Sequence, residues 1–83
     1  MPEHSALHLL RLIVGHFHAT PGRVLSESGL RRIFSSDGWD IGEYQPGRDY
    51  AVGQGWLDDG ADHRLTLTSA GYTAAFASFP MTI

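Results

Sequence analysis

The sequence predicts one small α+β domain, mostly helical, and three observations carry that expectation. First, 83 residues suffice for a single hydrophobic core, because a chain this short buries only roughly 60 to 65% of its unfolded surface. Second, apolar residues fall at helical spacing near both ends of the chain and in its middle. Third, one stretch near the end alternates with period two, as a half-buried strand does. With 42% hydrophobic and 18% charged residues and nine aromatic rings, the chain is neither a disordered tail nor a coiled coil. It has no cysteine, which excludes a disulfide framework and a thiolate zinc site and leaves packing, or a partner subunit, to hold the core.

The first helix is read from Ser5 to His18. Ala6, Leu9, Leu10, Ile13, Val14 and Phe17 share one side and His4, His8, Arg11, Gly15 and His18 the other. Ala19-Thr20-Pro21-Gly22-Arg23 is a turn signature, and Val24-Leu25 is long enough for a stub of strand only. Ser26 stands as N-cap of a second helix, with Leu25 and Leu30 as a hydrophobic staple and Leu30, Ile33 and Phe34 as its buried stripe. Ser35-Ser36-Asp37-Gly38 ends it. The third helix admits two starts. In one, a helix starts at Asp40, which has capping-box spacing to Glu43 with Trp39 and Tyr44 as staple, and kinks at Pro46. Alternatively Asp40 to Gln45 is a turn and the helix opens with Pro46, where a missing N–H costs nothing; this second start is preferred. Ala51 and Val52 point inward, and Gly53 and Gly55 loosen the helix end. Trp56 to Thr68 reads as a hairpin around the polar turn Asp58-Asp59-Gly60-Ala61-Asp62. Thr68 caps a last helix, stapled by Leu67 and Tyr72, with the stripe Tyr72, Ala75, Phe76 and Phe79 closed by Pro80.

Helix, stub strand, two helices, hairpin and helix is the order of a winged helix-turn-helix domain: a three-helix core, a small β-hairpin wing and a C-terminal helix spanning residues 1–83. The stretch Gly55-Trp56-Leu57-Asp58-Asp59-Gly60, followed after five residues by Thr66-Leu67-Thr68-Ser69-Ala70-Gly71-Tyr72, resembles the passage GWL…G…LTLTxAGY of bacterial winged-helix regulators of the MarR and PadR kinds. The likeness covers about the last half of the chain, and the first half follows by element order alone. It implies a DNA-binding regulator whose third helix enters the major groove while the wing touches the backbone. By position, the DNA-facing residues would be Tyr44, Gln45, Gly47 and Arg48 on the third helix, Arg31 and Arg32 on the second, and His63 and Arg64 in the wing. Arginine and glutamine suit that role, since each pairs bidentately with a base edge.

Charge opens a second reading. All six cationic side chains are arginines, against nine carboxylates, for a net charge of −3. From Asp40 to Arg64 six acids face two arginines, whereas from Met1 to Trp39 four arginines face three acids. The part expected to meet DNA is thus the acidic part, and phosphate affinity comes mainly from basic side chains. An acidic wing suits a basic protein surface instead. Double-stranded DNA, bound by a transcriptional regulator, is therefore the first expectation, and a basic protein surface, bound by an interaction module that does not bind DNA, is the alternative.

No catalytic constellation is legible. There is no nucleophile elbow, no phosphate loop and no GxGxxG, so the protein is expected to be non-enzymatic and to need no cofactor. His4 and His8 have the spacing of a zinc pair but lack a third ligand, and both are expected to be solvated surface histidines. The remaining aromatic residues are read as core, with Tyr44 and Tyr50 partly exposed. No apolar run approaches the roughly 20 residues of a membrane helix and the N-terminus lacks a positive flank, which points to the cytoplasm. Phe76, Phe79, Pro80, Met81 and Ile83 make the end of the chain apolar enough to predict a homodimer through the terminal helices.

Overall fold

The computed structural model describes residues 2–60 and 62–78. In chain order it contains α1 (Pro2–Gly15), β1 (Val24–Ser26), α2 (Glu27–Ser36), a 3-10 turn (Ile41–Glu43), α3 (Tyr44–Gly53), β2 (Leu57–Asp59), β3 (Arg64–Leu67) and α4 (Ser69–Ser78). The strands form an antiparallel sheet in the order β1-β3-β2. Its register sets Leu25 opposite Leu65 and Leu57 opposite Leu67. All four leucines are buried, so the period-two pattern directs one face of the sheet onto the helices. None of the described helices is long and apolar enough to cross a membrane.

α1 is the central element, because it lies along α3 and also meets α4 and α2. Ala6, Leu9, Leu10 and Ile13 have no exposed surface. The crossing of α1 and α3 is close enough that a Cβ at Gly47 would stand 2.8 Å from the Ser5 backbone. Ser5 is fully buried there, and its hydroxyl donates to Glu43 Oε2 at 3.0 Å, which satisfies a polar group that would otherwise be costly.

The helix ends follow from local chemistry. α3 closes with Trp56 N–H donating to Ala51 O (2.9 Å) and Gly55 N–H to Val52 O (3.0 Å). With Gly55 at φ +76°, this is a Schellman motif. The Tyr50 and Trp56 rings, 5.8 Å apart, supply its usual apolar contact. Thr68 caps α4 as expected: its Oγ1 accepts from Gly71 N–H at 3.0 Å and donates toward the Gly55 and Trp56 carbonyls. Gly71 leaves no room for a side chain, since a Cβ there would collide with the Trp56 carbonyl oxygen. The run Gly55-Trp56-Leu57 and the run Leu67-Thr68-Ser69-Ala70-Gly71 are thus one joint, in which strand end and helix start grip each other.

Several expectations are corrected. α1 begins at Pro2, whose fixed φ suits a first helical position, and ends at Gly15 rather than His18. The left-handed His18 (φ 53°) turns the chain, and Ala19 N–H returns to Ile13 O. Ser26 occupies the N-cap position of α2, but its hydroxyl pairs with Ser28 Oγ at 2.9 Å instead of a helix amide. The first of those amides, on Glu27, is already taken by His63 O. Both readings of the third helix hold in part. Asp40 caps the 3-10 turn by accepting from Gly42 N–H, and α3 then starts at Tyr44 with Pro46 inside its first turn, where an N–H has no helical partner anyway. Phe76, placed on the inner stripe of α4 by spacing, is 48% exposed, while Ala75 is fully buried. Phe79, Pro80, Met81 and Ile83 lie outside the described residues.

Candidate binding face

α2, α3 and the hairpin meet around the side chain of Glu27, the first residue of α2. Its carboxylate is only 8% exposed. Oε1 accepts from the Tyr44 hydroxyl at 3.1 Å and from Arg48 Nε at 3.0 Å. Arg48, 13% exposed, extends across to the hairpin and donates to Asp59 Oδ1 at 2.7 Å and to Asp49 Oδ1 at 3.1 Å. One guanidinium therefore holds three carboxylates on three elements. The bonds to Glu27 keep Arg48 charged well beyond the ordinary arginine range. Burial, reinforced by the Glu27 charge, pushes the Tyr44 phenol upward, so it remains a donor.

An outer layer of contacts surrounds this centre. Arg31 on α2 donates to Gln45 Oε1 at 3.3 Å and places its guanidinium 5.1 Å from the centre of the Tyr44 ring. Gln45 donates in turn to Asp49 Oδ1 at 2.9 Å. Between the start of α2 and the hairpin lies an open groove of about 450 Å³, lined by Ser26, Glu27, Ser28, Arg31, Asp62 and His63.

Of the eight residues expected to face DNA, four are brought together here: Arg31, Tyr44, Gln45 and Arg48. Arg31, Arg32, Gln45, His63 and Arg64 are exposed. Gly47 is corrected, because it is buried against Ser5 and faces α1. Tyr44 is corrected as well: its ring is a core residue with 1% exposure, set edge-on to Phe34. Arg48 is the only cation of α3, and its donors are already spent on carboxylates. Glu27 escaped the sequence reading. At the start of a helix an acid has an ordinary reason to be present, as complement to the helix dipole, and nothing local pairs it with a residue 21 positions away.

His8, expected to be a solvated surface histidine, is corrected too. Its side chain is 12% exposed, stacked on Trp39 at 4.1 Å and set edge-on to Phe34 at 5.5 Å. Among the described residues no group of three His, Asp or Glu side chains is placed to hold a metal ion. Compared with family models, with curated proteins and with solved structures, the chain finds no match.

Proposed function

We propose that this is a non-enzymatic winged helix-turn-helix domain that acts as a protein-interaction module, its α2–α3–hairpin face docking on a basic partner surface. The winged-helix reading is supported by the element order and by β1 joining the hairpin in the order β1-β3-β2. The choice of partner rests on one observation: Arg48, the sole cation of α3, is occupied by Glu27, Asp49 and Asp59. With Arg48 paired to Asp49 and Asp59, a helix entering the major groove would offer no cation of its own, and the hairpin would offer the exposed Asp58 and Asp62 to a phosphate surface that both repel. Against lysine- and arginine-bearing protein the same charges are complementary.

DNA binding is the second reading, favoured by the exposed Arg31, Arg32 and Arg64. Selection on random duplex DNA at low salt, beside binding to arginine- and lysine-rich peptides, separates the two. The interaction module predicts no enriched DNA sequence, peptide affinity that falls with salt, and loss of that affinity when Asp58 and Asp59 are both changed to Ser. Enrichment of a DNA sequence, with binding strengthened by the same double change, would reverse the assignment.

A further inference from the structure

His8 sits where α1 meets the turn that ends α2. Its ring lies flat on Trp39, with an interplanar angle of 11°, and Nε2 lies 3.0 Å from Asp37 Oδ2. That nitrogen is closed off from solvent and lacks hydrogen-bond alignment with any partner. A neutral imidazole tolerates such a position, whereas an added charge there is poorly solvated. Asp37 is half in water, which weakens its compensation of that charge. We propose that His8 is an acid-operated latch: as the neutral ring stacked on Trp39 it holds the Asp37-Gly38-Trp39 turn against α1, and its protonation loosens that turn.

The charges around the ring agree. On α1 itself, Arg11 and His4 line the same 230 Å³ hollow with Leu7, His8 and Trp39, and Arg11 opposes a second positive charge. From the end of α2 come Asp37, which favours protonation, and the uncharged Phe34 and Trp39. In the 3-10 turn Glu43 is engaged with Ser5, and in α3 Arg48 is engaged with Glu27, Asp49 and Asp59. The described α4 residues carry no charged side chain. Burial outweighs Asp37 and holds the His8 pKa below 6.5.

The test is a proton-NMR titration of the His8 ring in the full chain, together with protection of the Asp37 and Gly38 amides, which bond Ile33 O and Ser35 O, corrected for intrinsic exchange. The expected result is a His8 midpoint below 6.5 and loss of protection over the same pH range. Asp37→Asn should lower the midpoint further, and His8→Phe should make protection independent of pH. A parent midpoint at or above 6.5, or the same loss of protection in His8→Phe, overturns the latch. If His8→Phe does not fold, Asp37→Asn decides: a loss of amide protection that moves to lower pH together with the His8 midpoint upholds the proposal, and a loss that stays at the parent pH, or an unmoved midpoint, overturns it.

Discussion

Gly47 and Gly71 show how single atoms set the distances between elements. At either position a methyl group must displace backbone, not the free end of a side chain, and overpacking of that kind costs about 1 to 3 kcal/mol. Gly47→Ala should therefore lower the urea midpoint clearly, whereas Gly53→Ala, with open space around it, should not. The Arg48 network divides by burial. Arg48→Ala strands the buried Glu27 carboxylate, for a loss of about 3 kcal/mol, the low end for a broken buried pair. Asp59→Ser removes a half-exposed partner and should cost under about 1 kcal/mol. Equal losses in urea denaturation would mean that the two ends of Arg48 are equally solvated. For His8 the fold favours the neutral ring. Above pH 6.5 the group leaves stability unchanged, and as pH falls below 6.5 the unfolded chain takes up a proton that the folded chain resists. Stability should drop from pH 7 to pH 5, and the drop should be smaller in His8→Phe.

At the level of elements, the joint between the hairpin and α4 binds the domain together. Leu67 is fully buried opposite Leu57, and Thr68 both caps α4 and reaches back to the end of α3. Leu67→Ala should cost about 2 to 5 kcal/mol, comparable with the whole stability of so small a domain, and leave the chain largely unfolded by circular dichroism. Thr68→Ala loses the cap, at about 1 kcal/mol, and should fray α4 while leaving the sheet in place. Hydrogen exchange that is fastest at Ser69 to Gly71 would record that difference.

For the whole molecule, the proposed choice of partner is a matter of summed charge: the face built by α2, α3 and the hairpin carries Glu27, Asp49, Asp58, Asp59 and Asp62 against Arg31, Arg32, Arg48 and Arg64. Self-association is the other proposal at this scale. Phe76 is exposed on α4, with its ring 4.7 Å from Tyr72, and such a surface is the kind two-fold dimers cover. Sedimentation at micromolar concentration should show a dimer for the parent and a monomer for Phe76→Ser. A monomeric parent would end that proposal.

The amino-acid order by itself determined which segments become helix or strand, and it did so through local physics. The spacing of Ala6, Leu9, Leu10 and Ile13, the alternation from Arg64 to Leu67, the Thr68 cap and the glycine at the end of α3 all act within a few residues. Where neighbours compete, order alone fell short: Asp40 and Pro46 each nominated a helix start, and only the continuous run of the 3-10 turn into α3 accommodates both. The binding face was legible as a set of exposed arginines and a glutamine, yet its centre was not. Tyr44 and Gly47 look outward by position along the chain, but packing of α1 against α3 turns both inward. Glu27 and Arg48 are distant in sequence, and a charge pair at that separation leaves no periodic signal. Tertiary structure therefore decided that Arg48 is the arginine tied up by carboxylates, because electrostatics depends on distance through space and not on position along the chain.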